Sequence, residues 1–577
     1  MAEEKKLTGY PSIDKPWLRY YSEEAINTEL PVGSVYDYLW DNNREYLGNP
    51  ALYYMGKRIL YQEVFDQIEK VASAFTAIGI HKGDIVVLST VTTPETIYAF
   101  YALNRIGAIS NMVDPRTSIE GIHEYIREVK ATVILTLDVA YPKIQQAIVG
   151  TEVRRIIMIS PAESLPPVKK RLYLISKGLK NGSYTYGSLC QTWQSFIKNG
   201  EHVKPAIAPY TKDSCCVIVH TGGTTGVPKG VMLSNENLNA LVIQSILTGI
   251  NMRREHTWMD IMPPFIAYGI GMGICLPLVI GMETILIPSF DPKKFDELLL
   301  KYKPMHMVFV PSYWGTIIHS RKLRKKNLSY IIAPTVGGDR MDPELEKAAN
   351  QFLLEHGCSY QVTKGYGMTE VCAGVTGTLD ANNELGSVGV PFVKSTVAIF
   401  DPETGVELPY NQLGEVCISG PNVMLGYYQN ESATNEIIRI HNDGKRWVHS
   451  GDIGYMNERG SLFIMDRIKR MIVRYDGFKV FPSMVEKAIA QHPSVEQCCV
   501  VGAVDREHSQ GHLPAAFVVL NENSQDKVSV EYELENLCLR ELPEYAQPVE
   551  WHFRDSLPLT PIGKIDYRAL EEMAKEM

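Results

Sequence analysis

Nowhere in these 577 residues do two cysteines stand in a C-x-x-C pair; the ten present are scattered, with only Cys215-Cys216 and Cys498-Cys499 adjacent. That excludes a disulfide framework, so the thiols read as packing residues of a protein in a reducing cytoplasm. A basic surplus is missing too. The net charge of −9 argues against nucleic acid or an anionic membrane as the main partner. The first residues, Met1-Ala-Glu-Glu-Lys-Lys, lead into polar sequence and not into an apolar core, so no secretory signal is expected. Long unbroken apolar runs are absent as well. Residues 261–282 carry no charge over about 22 positions, enough to cross a bilayer. Yet Pro263, Pro264 and Pro277, with Gly269, Gly271, Gly273 and Gly281, would break such a helix repeatedly. The segment reads as a buried helix with flanking loops, suited to wall an apolar pocket.

What is present is the composition of a soluble globular protein, 45% hydrophobic and 21% charged, too long for one core. Helical spacing at 62–78, 93–106 and 118–129 alternates with short apolar runs at 85–88, 111–113 and 132–137. The alternation returns between 284 and 355. Strands alternating with helices imply βαβ units and a mostly parallel sheet. The aromatic stretch 1–50 is expected to wrap the first of these units. Strand-like runs without long helices fill 387–454, and about 105 residues at the end form a small α+β domain. The resulting fold class is α/β. A large domain, 1–468, holds two βαβ-type subdomains (1–210 and 211–385) and a β-barrel-like unit (386–468). A mobile lid domain, 469–577, follows. Residues 168–180 are basic and amphipathic, a solvated helix whose functional version is contact with a membrane surface.

Residues 221–230 read Thr221-Gly-Gly-Thr-Thr-Gly-Val-Pro-Lys229-Gly230 between two apolar runs, hence strand, loop, strand. Gly222, Gly223 and Gly226 let backbone N–H groups approach phosphate oxygens; Thr221, Thr224 and Thr225 add hydroxyls, and Lys229 a charge. It is not a Walker loop, because Lys229 follows Val-Pro and precedes Gly230 instead of Ser or Thr. Five further stretches accompany it: Gly337-Gly338-Asp339; Gly365-Tyr366-Gly367-Met368-Thr369-Glu370; Ser450-Gly451-Asp452; Asp466-Arg467 with Asp476-Gly477-Phe478-Lys479; and Pro558-Leu-Thr-Pro-Ile-Gly-Lys564-Ile565. Each alone is a turn or a surface pair. In this order and spacing they resemble the adenylate-forming superfamily of acyl-CoA synthetases, peptide-synthetase adenylation domains and beetle luciferases, from about Val32 to Leu570.

The resemblance implies two half-reactions. A carboxylate attacks the α-phosphate of ATP, giving an acyl-adenylate and pyrophosphate; a thiol, usually of coenzyme A, then displaces AMP. It also implies roles. Thr221, Thr224, Thr225 and Lys229 would embrace the outer phosphates, Thr369 a phosphate oxygen, and Glu370 a Mg²⁺ ion, which prefers oxygen ligands. Tyr366 would stack on adenine with Gly337 and Gly338 against its other face, beside Asp339. Asp452 would accept the ribose hydroxyls, with Arg467 assisting. Lys564 would bridge carboxylate and α-phosphate, Lys469 would be the hinge, and Gly477, Phe478 and Lys479 would line the coenzyme A tunnel. Tyr268, Gly269, Val336, Gly337, Val371 and Cys372 would form the acyl pocket, Tyr268 as its gate.

The chain departs from the family in a connector to Gly477 that is one residue longer, which bears on Arg474 and Lys479. Ile266 also stands where amino-acid-activating domains carry an acidic residue. An α-amino group would be buried unpaired there at a cost of roughly a few kcal/mol, which disfavours amino-acid substrates. The reading is an acyl-CoA synthetase for an apolar, fatty carboxylic acid. It is expected to stand alone, since the chain ends soon after Lys564 without a carrier domain. The alternative activates an aryl or other acid for a separate carrier protein. Monomer and homodimer both stay open.

Overall fold

The computed structural model describes residues 7–166, 168–173, 187–221, 229–476, 478–508, 511–521, 527–559 and 565–576. Two large sheets carry the protein. The first runs Gly426–Tyr427, Gly230–Ser234, Cys215–His220, Ile109–Val113, Ile85–Ser89, Val133–Leu137, Arg155–Ile159, Cys190–Thr192. Its pairings are parallel from Cys215–His220 onward and antiparallel on the other side. The second runs Val390–Pro391, Thr376–Gly377, Thr363–Tyr366, Ala333–Val336, His306–Phe309, Thr257–Asp260, Glu283–Leu286, Pro50–Tyr54, Lys57–Leu60. Near-continuous Val, Ile and Leu in the inner strands fit sheets covered on both faces.

The helices follow the apolar spacing of the sequence. Tyr61–Ala77 buries one full face, and Pro94–Arg105 is buried on every side from Pro94 to Asn104. Asn235–Ile246 starts at Ser234, whose hydroxyl accepts the Asn237 N–H while the Asn237 side chain accepts the Ser234 N–H. The uncharged stretch 261–282 is a buried π-helix, Gly269–Cys275, continued by Leu276–Ile280 and ended at left-handed Gly281. Glycine permits the close packing: a Cβ on Gly269 would stand 1.8 Å from the Pro263 carbonyl oxygen. Among the described residues no helix is long and apolar enough to cross a membrane.

Two expectations are corrected. The subdomains do not divide at 210/211. Pro50–Tyr54, which pairs with Glu283–Leu286, and its hairpin partner Lys57–Leu60 belong to the second sheet, whereas Cys215–His220 and Gly230–Ser234 belong to the first. Covering an unpaired edge outweighs closeness in sequence. Of the N-terminal segment, expected on the first unit, the helix Val35–Asn43 does lie there, its Tyr36 N–H donating to Asn104 (2.9 Å), but the residues before it dock on the small β unit. Trp17 is wholly buried with its backbone against Gly460, Ser12 donates to Glu407 (Oγ–Oε2 2.6 Å), and the Tyr410 hydroxyl donates to Asp14 (3.0 Å). A large apolar ring and two part-buried carboxylates decide the site.

That β unit is five strands, Thr396–Phe400, Gly414–Ser419, Arg446–Met456 and Ile438–Ile440 in order, with Leu462–Arg467 paired to Arg446–Met456. Beyond it, Val495–Val504, His512–Leu520 and Glu550–Arg554 form a small sheet under helices Pro482–Ile489, Lys527–Glu541 and Tyr567–Glu576, with apolar clusters drawn only from residue 472 onward. In the basic stretch 168–180, Val168 and Leu172 are exposed; residues 174–180 lie outside the described set. Replacing Trp17 with alanine is expected to cost about 3–5 kcal/mol of local stability, as for a buried aromatic. Limited proteolysis should then cut within the first 30 or so residues at a temperature where the parent resists.

Candidate active site

The loop at 221–230 hangs between Cys215–His220 and Gly230–Ser234, antiparallel neighbours in register His220 to Gly230. Its base is closed twice: the Thr221 N–H donates to the Lys229 carbonyl (3.1 Å), and the Thr221 hydroxyl accepts the Lys229 N–H (3.1 Å). Gly222, Gly223, Thr224, Thr225 and Gly226 lie outside the described residues, as do Gly477 and Lys564. The Lys229 ammonium sits over the ring of Tyr427, 4.9 Å from its centre.

Tyr427 was not singled out from the sequence, and it links two residues that were. Its hydroxyl donates to Glu370 Oε1 (2.7 Å) while its ring faces Lys229. Glu370 is buried, on the turn Thr369–Val371. Burial raises its pKa above the ordinary carboxylate value; the Tyr427 hydrogen bond and the charges of Arg467 and Lys229 work against that rise. The backbone after it is strained, with Cys372 (φ 56) and Ala373 (φ 82) both left-handed. This strained turn has Cys372 wholly buried and returns the chain to pair with Tyr366 through the Val375 N–H. The sequence signal for Tyr427 was the isolated Gly426-Tyr427 after an apolar run, weak without a partner strand in view.

Across the cleft, the Asp452 carboxylate gathers two groups. Tyr366 donates its hydroxyl to Oδ2 (2.5 Å) and Arg467 its Nε to Oδ1 (2.6 Å). Asp452 and Arg467 are direct neighbours in the β unit's register, while Tyr366 comes from the second sheet. Ser450 fixes the preceding turn, donating to the Val416 carbonyl (2.6 Å) and accepting the Asp452 N–H (3.0 Å). Gly367 is forced by space, since a Cβ would lie 1.6 Å from the Ala373 oxygen; Gly365 faces the Thr376 carbonyl. Gly338 is left-handed (φ 78), and its neighbour Asp339 is exposed. A cleft lined by Val336, Asp339, Gly365, Ser387, Val388 and Ile464 opens beside these glycines. Beneath it lies a buried ion pair, Lys364 with Glu346, which also holds Gly386 and the Glu384 carbonyl.

The Tyr268 hydroxyl is buried beside Gly337, where a Cβ would come within 3.3 Å, and has no hydrogen-bond partner among the described residues. Gly269, Val336, Val371 and Cys372 are all buried. The connector Ile468–Arg470 contains Lys469. On its far side, Ser483 donates N–H to Asp466 (2.9 Å) and hydroxyl to the Met465 carbonyl (2.8 Å), and Arg470 lies over the Tyr567 ring. Tyr567 is within electrostatic reach of Asp339. In this arrangement Lys479 pairs with Glu403 (2.6 Å), and the half-exposed Phe478 ring stacks on Tyr545.

Residues 39–428 match the AMP-binding enzyme family and residues 484–564 the AMP-binding enzyme C-terminal domain. A long-chain-fatty-acid–CoA ligase of Bacillus subtilis (strain 168) is 29% identical over 572 residues, 97% of this chain and 98% of the relative. A probable 4-coumarate–CoA ligase 1 of Dictyostelium discoideum is 30% identical over 522 residues, 88% and 89% of the two chains. In fold, the chain resembles the anthranilate CoA ligase AuaEII in complex with anthranoyl-AMP, with TM-score 0.79 at 20% identity, over 95% of this chain and 98% of that one. The chain belongs to the AMP-binding enzyme family and is an acyl-CoA synthetase.

Replacing Tyr427 with phenylalanine removes the hydrogen bond that lowers the Glu370 pKa. The acid limb of kcat/KM for ATP is expected to move to higher pH, with about a tenfold loss at neutral pH, the size of one hydrogen bond to a charged group. Steady-state pyrophosphate release against pH measures both.

Proposed function

We propose that this synthetase converts a medium- or long-chain fatty acid to its acyl-CoA through an acyl-adenylate. The observation that supports the ligase chemistry most is the set of cationic and hydroxyl groups, Thr221, Lys229, Tyr427 and Arg467, around buried Glu370 and Asp452. Adenylation sets a carboxylate against a triphosphate, so like charges must be offset by fixed cations and donors, and no protein nucleophile is required. The substrate carboxylate oxygen forms a bond to the α-phosphorus, and the bond to pyrophosphate breaks. Asp452 accepts the ribose hydroxyls and Tyr366 covers the adenine. Lys229 faces the departing pyrophosphate, while Lys564, delivered from the small domain, spans carboxylate and α-phosphate.

A magnesium ion fits this donor set. Glu370 offers a hard oxygen ligand already screened by Lys229 and Arg467, and Thr369 precedes it on the same turn. Such an ion would neutralise phosphate charge. In the second half-reaction the coenzyme A sulfur bonds to the acyl carbon and AMP departs. The contacts of Ser483 with Asp466 and Met465 would break as the small domain turns about Lys469, bringing Gly477, Phe478 and Lys479 to the thiol.

The fatty-acid reading draws on the uncharged, buried wall 261–282 and the apolar Val336 and Val371. One observation favours a second reading, an aryl or hydroxylated acid. A buried hydroxyl without partner costs about 1–3 kcal/mol, and a polar group on the substrate would satisfy Tyr268.

Two measurements test these readings. With ATP, Mg²⁺ and coenzyme A, a panel of acids graded by length and aromaticity should give AMP and thioester from fatty acids. Silence across the panel, or thioester only on a phosphopantetheinylated carrier, overturns the coenzyme A assignment. Tyr268→Phe should leave kcat/KM for a saturated fatty acid within about threefold but lower it about tenfold or more for a hydroxylated aryl acid, if that acid is the substrate. Separately, Lys564→Ala should abolish adenylate formation while sparing thioester formation from preformed acyl-adenylate. Equal loss of both would contradict the domain rotation.

A further inference from the structure

The structure assigns to Glu415, His449 and His441 the role of a relay that positions Asp452 and weakens nucleotide binding in acid. The inference rests on reading Asp452 as the ribose acceptor. None of the three touches substrate in that reading, so they are positioning residues.

Glu415 projects from Gly414–Ser419 and His449 from Arg446–Met456, neighbouring antiparallel strands of the β unit, and both are buried. Each Glu415 oxygen has one partner. Oε2 accepts the His449 Nδ1–H (2.7 Å), and Oε1 accepts the N–H of Gly451 (3.0 Å), the residue before Asp452. Gly451 is left-handed (φ 70), a conformation the Glu415 bond holds from one side and the Ser450 hydroxyl from the other. At its far edge His449 meets a second ring, Nε2 to Nε2 of His441 at 3.0 Å. Two ring nitrogens at that distance share one proton. A second proton places two N–H groups face to face, and the contact turns repulsive.

The surroundings decide when that second proton binds. His441 is half-buried at the turn after Ile438–Ile440, stacked on Trp447 with Phe400 edge-on. Asp443 favours its protonation and Arg439 opposes it; Lys445 acts on Asp443, and the Cys417 thiol lies 3.4 Å from His449 Nδ1. Burial, then the charge of His449, holds His441 below the ordinary histidine range. Over neutral pH His441 therefore accepts at the ring–ring contact, and Glu415 keeps its grip on Gly451. As pH falls through the lowered value, the rings part, His449 no longer orients Glu415, and the turn carrying Asp452 loosens.

The donors of Glu415, Cys417 and His449 lie within 4.8 Å of one another and could face a metal ion. The spacing favours the hydrogen bond. Two ligands each about 2.0–2.1 Å from tetrahedral zinc would stand about 3.3 Å apart, well beyond the 2.7 Å found between Nδ1 and Oε2.

The test uses the purified full chain, with AMP affinity by calorimetry and ATP KM and kcat from about pH 4.5 to 8.5, which reaches below the span over which an ordinary histidine titrates. The parent should lose AMP affinity toward acid. His441→Gln, which removes the second ring and its titration, should flatten that acid limb. Glu415→Gln, which keeps shape and an acceptor but not the charge, should weaken AMP binding about tenfold at pH 8 and raise KM for ATP more than it lowers kcat. Parent-like AMP binding in Glu415→Gln, or an unchanged acid limb in His441→Gln, overturns the relay. So does stoichiometric zinc in the isolated protein, or a cobalt–thiolate band abolished by Cys417→Ser. A parent that binds no AMP at any pH overturns the ribose reading itself, and the relay with it.

Discussion

Everything at this site depends on how one buried carboxylate is satisfied. Asp452 is almost wholly enclosed, and a lone anion there would be costly enough to neutralise or to unfold its surroundings. Its two oxygens instead hold a hydroxyl from the second sheet and a guanidinium from the adjacent strand of the β unit. One side chain thus ties two structural units together across the cleft. It also fixes the direction of the Tyr366 ring axis, because a ring anchored at its hydroxyl cannot swing. Glu370 is handled in the same manner by Tyr427 and the field of Lys229 and Arg467. Both carboxylates are held by a tyrosine hydroxyl, a neutral donor that fixes direction without cancelling the charge.

Backbone geometry supplies the rest. Gly367 and Gly269 are positions where any side chain would overlap a carbonyl, and Cys372 and Ala373 hold left-handed conformations that only a dense surround maintains. The strain falls in the turn that carries Thr369 and Glu370, so these groups are aimed before any ligand arrives, at the expense of local stability.

Much of this was legible in the chain. Apolar periodicity placed the helices near 62–78 and 93–106 within a residue or two of Tyr61–Ala77 and Pro94–Arg105, because period 3.6 is a local property. The Gly/Thr loop between two apolar runs announced its antiparallel base. What escaped depends on contacts between distant residues. The hairpin 50–60 has no signal telling it to join a strand at 283–286, and Trp17 none directing it to Gly460. Tyr427 looked like any aromatic of a short strand until Glu370 stood opposite. Likewise Glu415 and His449 reveal a relationship only through strand register, since neither spacing nor composition links positions 34 apart.

The interleaving of the sheets also sets an order of events during synthesis. Pro50–Tyr54 leaves the ribosome early, yet its parallel partner Glu283–Leu286 lies roughly 230 residues downstream. At about 5–20 residues per second the hairpin waits some 10–45 s for that edge. Through that interval one edge of an aromatic, apolar strand stands without its partner. The charges of Lys57 and Arg58 on its outer neighbour then act as a guard against pairing with other nascent chains, a service rendered before the enzyme has an active site at all.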